Sequence, residues 1–233
     1  MEAIVARYLP TDGTMATRVP GLSLHRLTIP EGPASFVYEP AFAFIIRGRK
    51  RVVVGDDEYV CDEGHFLLTS IGLPTVVQVL EPSESAPYLS IKLDLDLDLA
   101  RDLISEVDQF NSVRRRDGPG IGVGPVTSTL ASACLRLIEL LDSEQDTAIL
   151  ASAIQREILC RELTSPVGAR LRETVQLGTR ANHVFAAVQW IRHHYAEPMH
   201  LETLAGEASM GASTLHHHFR APPADKCRDA AWS

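Results

Sequence analysis

The hydrophobic period of this chain changes near residue 97, and no single-layer or single-class architecture accommodates both halves. From Leu22 to about Leu97, apolar residues come in short or alternating runs: Ala41–Ile46, Arg51–Gly55, Glu58–Cys61, His65–Leu68, Thr75–Leu80 and Tyr88–Leu93. Turn residues separate them at Arg47-Gly48, Gly55-Asp56-Asp57, Asp62-Glu63-Gly64, Gly72-Leu73-Pro74 and Glu81-Pro82-Ser83. Period-two runs bounded this way are strands, and with no helical pattern between them they pair into an antiparallel sandwich or barrel.

Beyond Leu97 the period becomes helical. Leu99, Leu103, Ile104 and Val107 form one stripe that ends near Asn111, before an Arg- and Gly-rich loop over residues 114–120. A second stripe (Leu130, Ala133, Leu137, Leu140, Leu141) lies within 126–142, and a third (Leu150, Ala153, Ile154, Leu159) within 147–163. The last two read as a helical hairpin. Residues 164–180 have little apolar periodicity and read as a linker. A small helical unit follows, with Asn182 as cap, Val184, Val188, Ile191 and Tyr195 facing inward, and Pro198 as its stop.

Composition limits the function classes. Of 233 residues, 45% are apolar and 22% charged, a globular balance. The longest apolar runs are shorter than the roughly 18 residues of a membrane span, and the N-terminus has no signal pattern. Cys61, Cys134, Cys160 and Cys227 lack disulfide or metal spacing, so reduced thiols in a cytoplasmic protein are expected. The net charge of −8 excludes a chain that coats nucleic acid indiscriminately.

Residues 200–220 carry the most specific pattern. A short helix with Leu201, Leu204, Ala205 and Ala208 inward meets a tight Ser209-Met210-Gly211 turn, then a helix anchored by Leu215 and Phe219. This is helix-turn-helix spacing. The opposite face presents Ser213, His216, His217 and Arg220 at i, i+3, i+4 and i+7, a donor and acceptor row suited to base edges in the major groove. The same spacing alone also describes a surface helix in an ordinary three-helix cap.

The stretch Leu201-Glu-Thr-Leu-Ala-Gly-Glu-Ala-Ser-Met-Gly-Ala-Ser-Thr-Leu-His-His-His-Phe-Arg220 resembles the first helix-turn-helix of the AraC family of bacterial transcription regulators. Val188–Tyr195 is similar to that family's opening helix. Phe44–Gly55, Tyr59–Ser70, Leu73-Pro74 and Pro87–Ser90 resemble a recognised class of AraC-type N-terminal domain. The resemblance implies a two-domain α+β protein. Its parts are a cupin-like β-barrel sensor over 1–97, a dimerisation hairpin over 98–163, a linker over 164–181, and a first helix-turn-helix over 182–220. It further implies a sequence-specific regulator that is not an enzyme and needs no cofactor. Its partners are double-stranded DNA, a small-molecule effector held in the barrel, a second copy of the chain and RNA polymerase, with no membrane. Ser213, His216 and His217 then contact bases, and Thr214 and Arg220 contact phosphate. The interior is expected to draw on Phe36, Tyr38, Phe42, Phe44 and Phe66, the choice among them awaiting strand register.

Two departures from the family pattern matter. His217 replaces an Arg often found there and lacks the guanidinium fork. After Arg220 the chain reads Ala221-Pro-Pro-Ala-Asp-Lys-Cys-Arg-Asp-Ala-Ala-Trp-Ser233, which does not continue into a second helix-turn-helix, so a truncated reading head is expected. From His183 to Arg220 there are two basic and three acidic residues, while seven of the nine histidines lie there. Phosphate neutralisation is therefore weak at neutral pH and stronger near pH 6 and at low salt.

The alternatives are a ligand-sensing dimerisation protein that does not bind DNA, and a cupin-type enzyme. The enzyme needs His-x-His metal ligands, yet His25 and His65 are the only histidines of the β half and neither sits in that pattern. Asp94-Leu-Asp-Leu-Asp98 lacks the Gly and Glu of a calcium loop and reads as a strand end entering an Asp-capped helix. The consecutive His216–His218 point about 100° apart and do not converge on one ion. Cys61, mid-strand, reads as a buried inert thiol.

Overall fold

The alternating runs become ten strands among the described residues of this computed structural model, which are 1–107, 120–177 and the isolated positions 203 and 206. After α1 (Glu2–Tyr8), the strands are β1 (Gly13–Ala16), β2 (Leu22–Leu27), β3 (Ala34–Tyr38), β4 (Ala41–Arg47) and β5 (Arg49–Val54). There follow β6 (Asp57–Asp62), β7 (His65–Thr69), β8 (Leu73–Leu80), β9 (Tyr88–Asp94), α2 (Leu97–Val107) and β10 (Ile121–Pro125). The chain then turns helical: α3 (Ser128–Glu139), a 3₁₀ turn (Leu140–Asp142), α4 (Glu144–Thr164) and α5 (Gly168–Leu177). The chain divides into two units, Met1–Leu177 and Gly178–Ser233, and all of these elements belong to the first.

The strands form two antiparallel sheets, in the orders β1-β2-β9-β4-β7-β10 and β3-β8-β5-β6. The α+β class stands, while the β half is an open pair of facing sheets instead of the closed barrel expected. At the β4–β5 turn Gly48 has φ 82° and its α-carbon lies so near Tyr88 that a Cβ would sit 3.3 Å from the Tyr88 Cα. Both conditions require glycine there. A register shift between Ile45 and Arg47 bends β4 at the same corner.

Because strand side chains alternate, the larger sheet has two different faces. On one face Leu22, Leu24, Phe42, Phe44, Phe66, Leu68, Leu89, Ile91 and Leu93 pack with Leu103, Ile104, Leu137, Ile138 and Ile158 of the helices. On the other, Ala43, Ile45, Leu67 and Tyr88 meet Val52, Cys61, Val77 and Val79 of the smaller sheet. Polar caps start the helices: Asp96 accepts from Asp98 and Leu99 N–H at 3.0 and 2.9 Å, Thr127 from Leu130, and Ser143 from Asp146. The Asp94–Asp98 run is thus a strand end entering a capped helix.

Several expectations need correction. Residues 121–125, to which the sequence pattern assigned no element, are an edge strand paired with β7, and the N-terminus contributes α1 and β1. The stripe expected on α4 holds only in part: Ile154 and Leu159 are buried, whereas Leu150 (44% exposed) and Ala153 face outward, and Ala151, Ile158 and Leu163 complete the buried face. Residues 168–177, read as linker, form α5, whose Leu171 and Val175 are buried against α2 and α4. Gly168 makes this docking possible, since a Cβ there would lie 2.1 Å from the Glu162 carbonyl oxygen. The Glu162 carboxyl is fully buried without a hydrogen-bond partner among the described residues, and burial pushes its pKa well above the carboxylate range. Among the described residues no helix is long and apolar enough to cross a membrane.

The α4 phase is testable by urea denaturation. Ile158→Ala should cost about 2–5 kcal/mol, Leu150→Ala less than about 0.5 kcal/mol, and Gly168→Ala should destabilise like a core lesion. The reverse order for Ile158 and Leu150 would contradict the helix phase.

Candidate functional site

A cavity of about 540 Å³ opens between the two sheets. Side-chain size on β4 creates it: the residues facing the cavity are Ala41 and Ala43, while Phe42 and Phe44 point toward the helices. The other walls follow the same alternation. The larger sheet contributes His25, Leu67, Thr69, Tyr88, Ser90 and Lys92, and the smaller contributes Phe36, Tyr38, Lys50, Val77 and Val79. Of the five aromatics expected inside, Phe36 and Tyr38 line the cavity. Phe42, Phe44 and Phe66 belong to the helix-facing core, with Phe42 and Phe66 stacked tilted at 5.4 Å between ring centroids. Phe36 sits at the mouth, 51% exposed.

The dominant electrostatic feature is Lys50. It is 7% exposed, and its ammonium lies 3.4 Å from the Tyr38 hydroxyl oxygen and 5.4 Å from the centre of the Tyr38 ring. No ion pair among the described residues involves it. The other basic residues of the lining are neutralised: Lys92 pairs with Asp94 at 2.8 Å, and Arg26 with Asp12 at 3.6 Å. Asp12 also accepts the Thr28 N–H and hydroxyl, both at 2.7 Å. Burial disfavours the Lys50 ammonium, but Tyr88, Tyr38, Cys61 and the hydrogen bond to Tyr38 outweigh it, and the pKa lies above the ordinary lysine value. Lys50 is therefore a cation at neutral pH.

That charge shapes its neighbours. Burial, then the charges of Lys50 and Lys92, push His25 down to about 4. Its Nδ1 is 2.9 Å from the Thr14 hydroxyl and its Nε2 3.1 Å from the Ser23 hydroxyl, so a neutral ring is held on both sides. Burial pushes the Cys61 thiol up to about 12, and Lys50 only partly opposes this. A thiol so held is protonated and unreactive at neutral pH.

Sequence reasoning missed Lys50, although a signal was present. In Arg49-Lys-Arg-Val-Val-Val54, period two places Lys50 in phase with the inward Val52 and Val54 and out of phase with Arg49 and Arg51. A lysine on the apolar phase of a strand between two outward arginines marks a cation placed inside. The DNA-contact residues expected from the sequence, Ser213, Thr214, His216, His217 and Arg220, lie outside the described residues, as does the Arg114–Arg116 run. His65 joins Asp62 across the β6–β7 turn. Among the described residues no group of three His, Cys, Asp or Glu side chains converges as a metal site would.

His25 gives a pH prediction. A histidine held near 4 in the fold against 6.5 unfolded contributes stability that is complete above pH 6.5 and is lost as pH falls toward 4. The His25 ring should stay neutral by NMR down to about pH 5. His25→Gln should flatten the stability profile between pH 6.5 and 4; a ring titrating at the ordinary value would contradict this.

Comparison with known proteins gives the family. The model of the AraC-type transcriptional regulator N-terminus matches residues 18–170. Among solved structures, an apo variant of ToxT from Vibrio cholerae strain SCE256 superposes with TM-score 0.58 at 8% identity, covering 87% of this chain and 76% of that one. ToxT from Vibrio cholerae O395 gives 0.46 at 7% identity, covering 84% and 72%. The AraC-like transcriptional activator CuxR gives 0.39 at 14% identity, covering 87% and 71%. No curated protein matches the chain. The ToxT likeness at 0.58 agrees with the fold described above, and with the match spanning both sheets and most of the helical layer, the chain belongs to the AraC-type transcriptional regulators.

Proposed function

We propose that this chain is a sequence-specific DNA-binding transcriptional regulator, not an enzyme, acting in the bacterial cytoplasm and answering to a small molecule held between the two sheets. The observation that carries the reading is the cavity itself: about 540 Å³, with apolar wall residues such as Leu67, Val77 and Val79 interspersed with ionisable and hydroxyl groups such as Lys50, His25, Glu31 and Thr69, inside the family's regulatory domain. Pockets of this size and lining are those that enclose small organic ligands.

DNA contact in this reading falls to the helix-turn-helix pattern of residues 200–220, with Ser213, His216 and His217 on bases and Thr214 and Arg220 on phosphate. Two copies of the chain present two recognition helices to successive major grooves. The exposed Ile149 and Leu150 of α4, at 63% and 44%, are the kind of apolar surface a two-fold contact covers. Effector binding shifts DNA affinity only through its different affinity for the two arrangements of the dimer. RNA polymerase is the downstream partner this role requires.

Selection of duplexes from a random pool by the purified full chain tests the reading. A defined half-site should emerge, with affinity that falls steeply with salt and rises between pH 7.5 and 6 as the histidines of the segment take up protons. Arg220→Ala should weaken all duplexes alike and reduce the salt slope by about one, whereas His216→Ala should change which bases are preferred. A folded chain that enriches no duplex would favour the alternative, a ligand-sensing dimerisation protein without DNA binding.

A further inference from the structure

Glu162 is a buried acid in the helical layer, away from the space between the sheets. It has no solvent exposure, and neither carboxyl oxygen has a hydrogen-bond partner among the described residues. A carboxylate there is costly, and a neutral carboxyl costs far less. The same residue forms the corner between two helices. Its carbonyl oxygen accepts from the Ser165 N–H at 3.0 Å and from the Ser165 hydroxyl at 2.7 Å, and Gly168 lies against that oxygen with no room for a Cβ. The chain thus turns from α4 into α5 on the residue that carries the buried acid.

Water reaches the carboxyl only when an element of this layer moves. α3 is anchored by Leu130, Ala133, Cys134, Leu137 and Ile138 and capped by Thr127. α5 is shorter, and its described buried side chains are Leu171, Arg172 and Val175. The more weakly anchored element opens first. We propose that α5 is a proton-dependent latch: the neutral Glu162 carboxyl lets residues 168–177 dock on α2 and α4, and ionisation of that carboxyl releases them. The first unit ends at Leu177, so release adds α5 to the chain that joins it to the second.

The sign follows from burial, which pushes the Glu162 pKa up. Docking is complete at low pH and weakens as pH rises through the shifted value. Other charges on the packed elements are already matched. Glu157 of α4 is held by Arg136 of α3 and by Arg161, Arg156 by Glu106 of α2, Arg101 by Asp98, and Asp142 by Arg7 and Tyr8. Asp102, Glu139, Glu144 and Asp146 are exposed. On α5, Arg172 is buried and already engaged, and Glu173 is half-buried. Cys134 of α3 feels the Glu162 charge, but burial keeps its thiol protonated.

Deuterium exchange of the full chain, read as protection relative to the intrinsic amide rate, tests the latch between pH 6 and 9. Protection of α5 should fall at least about tenfold over this range, the change that one proton gives per pH unit above the shifted value, while α3 keeps its protection. Glu162→Gln, which retains a neutral head group, should hold α5 protection level across the range, and Glu162→Met should do the same. Protection of α5 that ignores pH in the wild type, a loss shared equally by α3 and α5, or a pH-dependent loss that survives both substitutions would overturn the proposal. The wild-type comparison of α5 with α3 decides the matter even if a variant fails to fold.

Discussion

Everything in the described unit depends on the six-stranded sheet having both of its faces covered. A strand places successive side chains on opposite faces, so each inward residue of β2, β4, β7 and β9 has a neighbour committed to the other side. One face is filled by large apolar side chains (Phe42, Phe44, Phe66, Ile91) against the helices. The opposite face carries Ala41, Ala43, Ser90 and Lys92, small or polar, against the second sheet. The helical side is a solid core, and the sheet-to-sheet side therefore holds space. The sheet thus has its solid core on one face and an open volume on the other.

Two buried ionisable groups show how burial sorts charge by surroundings. Glu162, wholly buried without a hydrogen-bond partner among the described residues, has its pKa pushed well above the carboxylate range by desolvation. Lys50, nearly as buried, keeps its proton because tyrosine and thiol groups surround it and a ring face receives it. The first is an acid inside the helical layer whose charged form burial disfavours. The second is a fixed positive charge inside the cavity, and after burial itself it is the next cause that lowers His25, so that the histidine stays uncharged across neutral pH.

The sequence made the strand positions from Ala41 to Leu93 and the helix positions to Leu163 largely legible, because period-two and period-3.6 patterns switch cleanly at Leu97. The Asp96 cap was readable for the same local reason. What escaped it depended on tertiary context. β10 has the sequence Ile-Gly-Val-Gly-Pro, too short and glycine-rich to stand out, and becomes a strand only because β7 offers it an edge. Along α4 the mean pattern is nearly symmetric about the axis, so Leu150 and Ala153 were placed on the inner face until α3 and the sheet fixed the phase. The aromatics of the β half split between two cores because a one-residue change of phase swaps faces, which no single strand specifies by itself. Lys50 was hidden inside a basic run whose two neighbours are ordinary surface arginines.

Hydrogen exchange of the full chain with and without an amphipathic probe of neutral charge, 1-decanol, tests most directly that the space between the sheets is the ligand site. Added protection concentrated in β3, β5, β8 and β9, with α3 and α4 little changed on the sheet's far side, is the predicted result. Protection confined to the helices, or spread evenly over the chain, would contradict it.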